Sequence, residues 1–178
     1  MTRRIVFAGG PGSGKTTLLH ALAARGHAIA EDSARSIIRA RKSRSLSPRP
    51  PAQEFAECVL REDIRQYGEH GGATGLVFFE RGIVDALCML RDLGAMPESE
   101  VKAMLSAYRY HRQVFVFPPW EAIYVNDAER DQTFAEAERV HRDACDWYRC
   151  CGYETVDVPR AGVEARCAFV LEALDAAG

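Results

Sequence analysis

The residues best suited to chemistry lie near the start of the chain. Gly9-Gly10-Pro11-Gly12-Ser13-Gly14-Lys15-Thr16 fills the pattern G-x-x-x-x-G-K-[ST] at every position. Such a loop binds phosphate. Its glycines let successive backbone N–H groups curl round an anion without Cβ clashes. A helix beginning at its end adds unsatisfied N–H groups and a partial positive charge. Lys15 is then placed to reach the β- and γ-phosphates of a nucleoside triphosphate, and the Thr16 hydroxyl to ligate Mg²⁺. Thr17 follows as a further phosphate contact. The flanks agree with this. Arg4-Ile5-Val6-Phe7-Ala8 reads as a buried strand, and Leu18, Leu19 and Leu22 as one side of a helix. Strand, glycine-rich loop and helix form the context that the pattern requires.

The rest of the chain must position a second half of the site. Alternating apolar runs and helical periodicities predict strands near 3–8, 27–30, 76–79, 113–117 and 153–158, with helices between them. Gly26, Gly94 and Gly152 stop helices, and Thr133 caps a long one reaching Cys150. Strand and helix in alternation predict an α/β fold. Its core is a parallel sheet of about five strands with helices on both faces. Ligands in such sheets sit outside the carboxyl ends of the strands, so the charged residues there are the ones to inspect.

Glu80-Arg81 follows the most apolar strand, where a carboxylate can hold the shell of a Mg²⁺ ion bound by Thr16. Glu31 closes the second strand and is the expected base or orienting carboxylate for a phosphoryl acceptor. Asp85 lies one turn further on, able to face substrate or to cap its helix. Arg130 and Arg139 are the candidates to neutralise charge on the transferring phosphoryl group. Arg160, after the last strand, is placed to stack on a nucleobase. Residues 33–53 contain no acid but include Arg35, Arg39, Arg41, Lys42, Arg44 and Arg49. The stretch of about 39–51 reads as a basic flap or a solvated connector, and about 120–142 as a lid-like segment.

Composition sets the frame. A chain of 178 residues with 47% hydrophobic content suits one nucleotide-binding domain spanning 1–178. The net charge of −2 gives no overall basic field that would demand a nucleic-acid partner. Six cysteines form no C-x-x-C pair and are expected to be reduced thiols. The apolar run after Arg3 and Arg4 ends in the glycine-rich loop, and no stretch approaches the length of a membrane span. The expectation is a cytoplasmic protein.

Several segments together resemble a known family. The loop GGPGSGKTTLLHALAARG, AEDSAR after the second strand, FFERGIVD, RYHRQVFVFPPW, IYVNDAERDQTFAEA and GYETVDVP are similar to the NadR-type AAA-like ATPase domain family. The resemblance covers nearly the whole chain. It implies a P-loop NTPase fold of the kinase type, with ribosylnicotinamide kinase domains among the relatives. Deoxynucleoside kinases are a more distant likeness: E-x-x-x-R after strand two, and Glu80-Arg81-Gly82 where they carry E-R-S. That likeness implies Glu31 as acceptor base, Arg81 as a phosphate or acceptor ligand and Glu80 as the Mg²⁺ acid.

The leading expectation is a small-molecule kinase that passes the ATP γ-phosphoryl group to a nucleoside-like or other small acceptor. The alternative is a regulatory switch or slow NTPase whose basic segment meets an anionic partner, a phosphoinositide or a nucleic acid. No Asn-Lys-x-Asp pattern that would read guanine is present, which favours ATP over GTP.

Overall fold

The computed structural model describes residues 2–123 and 133–176. Five parallel strands form one sheet: β1 (Thr2–Ala8), β2 (Ala28–Ala30), β3 (Gly75–Glu80), β4 (Gln113–Val116) and β5 (Glu154–Asp157). Their order is β2-β3-β1-β4-β5. Among the described residues seven helices accompany them: α1 (Lys15–Ala24), α2 (Ser33–Ser43), α3 (Ala52–Glu69), α4 (Ile83–Asp92), α5 (Glu98–Ala107), α6 (Phe134–Cys150) and, after the last strand, α7 (Val163–Ala176). A short 3₁₀ turn covers Glu121–Ile123. Among the described residues, no helix is long and apolar enough to cross a membrane.

Strand alternation distributes the core to both faces of the sheet. Ile5 and Phe7 point to one side, where Leu18, Leu19 and Leu22 of α1 meet Val170 and Leu174 of α7. Val6 and Ala8 point to the other side, against α3 and α4. Because β1 is covered on both faces it reads as a continuous apolar run, as do Leu76–Phe79 and Val114–Phe117. The register sets Phe7 opposite Glu80 and Phe115, so three strand ends finish at one level.

The chief difference from expectation is in the basic stretch. Helix α2 continues through Ser43, so the connection to α3 is only residues 44–51. Asp32 caps α2 by accepting the Arg35 N–H at 3.2 Å. The periodicity of α3 also buries an acid. Asp63 lies on its inner face at 6% exposure and accepts a hydrogen bond from the Ser33 hydroxyl. Its second oxygen is buried without a partner among the described residues. Burial, helped by Asp85 and Asp32 and opposed by the Ser33 hydrogen bond, pushes its pKa up to about 8.

This acid makes stability depend on pH. The folded chain keeps the Asp63 proton up to about pH 8, whereas the unfolded chain releases it near pH 4. Folding therefore binds a proton across that window, and the Asp63 contribution is lost as pH rises through it. Melting temperatures measured from pH 5 to pH 8.5 should fall less with pH for Asp63→Asn than for the parent chain. Parallel curves for the two proteins would contradict this reading.

Candidate functional site

The loop between β1 and α1 is shaped by close contacts on two sides. A Cβ on Gly10 would sit 2.7 Å from the Ala137 carbonyl oxygen of α6. Gly14 adopts a left-handed φ of 81°, and a Cβ there would meet the Arg166 guanidinium of α7 at 2.8 Å. Only glycine fits such positions without displacing a neighbour. Inside the curl, the Lys15 ammonium donates to the carbonyls of Gly10 at 2.6 Å and Gly9 at 3.2 Å. Lys15 is only 4% exposed. Burial, together with the Arg81 charge, pulls its pKa down to about 7 against the pull of Glu80, Asp32 and Asp85.

The carboxyl ends of β3 and β2 supply the facing wall. Thr16 donates its hydroxyl proton to Glu80 Oε1 at 2.9 Å, and Glu80 is 4% exposed. Arg35, one turn into α2, reaches the same hydroxyl at 3.4 Å. Arg81 takes a left-handed φ of 66°. Its backbone N–H donates to the Phe7 carbonyl at 2.9 Å, and its guanidinium donates to the Gly9 carbonyl at 3.1 Å. The guanidinium lies 3.4 Å from Asp32 and 3.5 Å from Asp85. Burial alone would lower the Arg81 pKa, but Asp32, Asp85 and Glu80 outweigh it and hold the group above its usual value. Asp85 accepts from the Tyr148 hydroxyl at 2.6 Å and from the Gly82 N–H at 3.0 Å. Its pKa is raised by burial, against the Arg81 charge and these two hydrogen bonds.

A cavity of about 520 Å³ runs along this surface from Asp32, Arg35 and Arg81, past the loop, to Trp120, Gly162 and Arg166. Residues Pro11 to Thr17 and Glu80 line it, and Gly9 and Gly10 lie behind them against Phe117 and α6. The loop residues, Glu80 and Arg81 are thus brought together. Glu31 is not. It is exposed and lies 3.0 Å from His20 Nε2. Successive residues of an extended chain point to opposite sides, so at the end of β2 the carboxylate that faces the cavity is Asp32. Arg139 is exposed on α6 and does not line the cavity. Arg160 lines a separate hollow beside α6 and donates to the Pro119 carbonyl at 3.0 Å. The α7 arginine that does line the main cavity is Arg166. Arg130 lies outside the described residues, as does most of the lid-like segment up to α6.

Asp32, Arg35 and Arg166 were thus missed as site residues by sequence reasoning. Asp32 both caps α2 and lines the cavity. The cue for its second role was its offset of one residue from Glu31 in a strand of known direction.

Oxygen donors from Thr16 and Glu80 fit a hard cation such as Mg²⁺, which keeps several waters and takes its remaining ligands from phosphate. Among the described residues, no group of three His, Cys, Asp or Glu side chains could hold a metal by itself.

Comparison with known proteins identifies the family and the fold. The model of a family described as an AAA domain matches residues 4–166. No curated protein matches the chain. Among solved structures, deoxyadenosine kinase from M. mycoides with bound dATP superposes with a TM-score of 0.63 at 12% identity, covering 97% of this chain and 99% of that one. Thymidylate kinase from Candida albicans gives a TM-score of 0.67 at 14% identity, covering 98% and 92%. NadR protein in complex with NR gives a TM-score of 0.66 at 16% identity, covering 97% of this chain but only 50% of that one. At these identities the likeness establishes the fold, which is that of P-loop kinases.

The backbone at Arg81 yields a test of the site's construction. A left-handed conformation costs a residue with a Cβ about 1 kcal/mol more than glycine. Arg81→Gly should therefore be more stable than Arg81→Ala by about that amount in urea unfolding, although both lose the same ion pairs. Equal stability of the two variants would show that the positive φ carries no strain.

Proposed function

The chain belongs to the AAA domain family that its residues 4–166 match, and from that premise we propose that it is a phosphotransferase of the P-loop kinase type. It transfers the γ-phosphoryl group of Mg-ATP to a hydroxyl of a small, nucleoside-like acceptor. One observation carries the reading. A single cavity presents Lys15 and the Thr16–Glu80 pair at its middle, with Asp32 and Arg81 at one end. Donor and acceptor chemistry then face each other across one short gap. The kinases named among the superposing structures support the same class.

In this reading the loop N–H groups and Lys15 hold the phosphate chain, and Arg81 balances charge on the transferring group. Thr16 and Glu80 would hold Mg²⁺, which supplies charge neutralisation at the phosphoryl oxygens. Asp32 replaces Glu31 as the carboxylate that orients the acceptor hydroxyl and takes its proton. The acceptor oxygen bonds to the γ-phosphorus, the bond from that phosphorus to the β–γ bridging oxygen breaks, and ADP leaves. A single nucleotide-binding domain suffices for this. Arg35 brings the start of the basic segment to the acceptor end. A reaction drawing on ATP suits the cytoplasm.

An acceptor panel with γ-labelled ATP tests the proposal. Label should pass to a nucleoside, a ribosyl compound or another small alcohol, and Lys15→Ala should abolish the transfer. Asp32→Asn should lower kcat about 100-fold, whereas Glu31→Gln should stay within about threefold of the parent. Transfer to water alone would favour a nucleotide switch over a kinase. Equal damage from the two carboxylate variants would return the base role to Glu31.

A further inference from the structure

One face of α6 reaches both halves of the site. Near the start of the helix the Ala137 carbonyl closes on Gly10, and about one turn later His141 Nδ1 would lie 3.3 Å from a Cβ on Gly9. Tyr148 follows about three turns after Ala137, so it projects from the same face. It is fully buried and does not line the cavity. Burial, with the Asp85 charge beside it, raises the phenol pKa well above its usual value, so its hydroxyl stays a donor.

That hydroxyl ends on one particular oxygen. Tyr148 donates to Asp85 Oδ2 at 2.6 Å, and the Gly82 N–H donates to the same oxygen at 3.0 Å. Oδ2 is thus held between two donors, and Oδ1 is left to face the Arg81 guanidinium at 3.5 Å. The Gly82 bond alone would let the carboxylate turn about it. The Tyr148 bond, made to a charged acceptor, is of the stronger kind. Trp147 fixes the helix at the same level by donating its indole N–H to the Val84 carbonyl of α4 at 2.8 Å. The chain of contacts then runs from α6 through Asp85 to Arg81, and from Arg81 to the Gly9 carbonyl at 3.1 Å.

We infer that Tyr148 is a positioning residue: through Asp85 it aims the Arg81 guanidinium at the terminal phosphate, and so ties Arg81 to the helix that backs the phosphate loop. This rests on the role proposed above for Arg81 at the transferring group. Tyr148 itself touches neither nucleotide nor acceptor. Without its hydroxyl Asp85 keeps its charge but loses its fixed orientation, and the arginine loses its guide. The loop and Lys15 are untouched by that loss. The cost therefore falls on what is specific to the third phosphate and spares the first two.

The test needs no acceptor. Titration calorimetry compares a non-hydrolysable ATP analogue with ADP, each with Mg²⁺, on the parent chain, Tyr148→Phe, Arg81→Ala and the double variant. Tyr148→Phe should lower the preference for the analogue over ADP about fivefold, the worth of one hydrogen bond to a charged group. Its ADP affinity should stay within about twofold of the parent, which also reports an intact fold. In the Arg81→Ala background the same substitution should change the preference by less than about twofold, because the residue it acts through is gone. Asp85→Asn, which keeps the side chain's shape but not its charge, should lower the preference at least as far as Tyr148→Phe. An unchanged preference in Tyr148→Phe overturns the inference, whether both ligands weaken together or neither does. An equal loss with and without Arg81 overturns it too. A preference that survives Arg81→Ala overturns the role proposed for Arg81, and a parent chain that binds neither ligand overturns the phosphate reading. Either result removes this inference as well.

Discussion

The buried ammonium of Lys15 is the constraint on which the site depends. A cation at 4% exposure must be answered by nearby acceptors and charges. Two loop carbonyls answer it directly, and Glu80, Asp32 and Asp85 answer it through space. Arg81 adds a second cation, which the same carboxylates balance. The result is a nearly neutral cluster at three neighbouring strand ends. Two cations face three carboxylates there, so removing either cation leaves buried negative charge uncompensated.

The sheet makes that cluster possible. Order β2-β3-β1 sets the glycine-rich loop beside Glu80-Arg81, with Asp32 one strand further on. Register does the fine placement: Phe7 opposite Glu80 lets the Phe7 carbonyl accept the Arg81 N–H. On the other side of β1, the loop is walled by α6 at Gly10 and by Arg166 at Gly14. The loop is thus clamped between elements from both halves of the chain. Its phosphate-binding curl is a property of the whole fold rather than of eight residues.

Much of this was legible in the sequence. The pattern from Gly9 to Thr16 carries its own chemistry, and continuous apolar runs betrayed strands covered on both faces. Glu80 and Arg81 could be found because they directly follow such a run. What escaped was direction. Glu31 and Asp32 are adjacent acids, and only the twofold alternation of β2 decides which one meets the cavity. Arg160 and Arg166 differ by less than two helical turns, yet the turn before α7 sends them to different hollows. The basic stretch from about 39 read as flap or connector, but α2 runs on through residues 39–43, and only 44–51 connects it to α3.

The central claim is that this cluster exists to be rearranged by a triphosphate. A crystal structure with a non-hydrolysable ATP analogue and Mg²⁺ tests it most directly. The account predicts that the Lys15 ammonium leaves the Gly10 carbonyl for the β- and γ-phosphates. It also predicts that Thr16 exchanges its 2.9 Å bond to Glu80 for the metal. Finding the triphosphate elsewhere, or finding Lys15 still bound to Gly10 beneath it, would contradict the account.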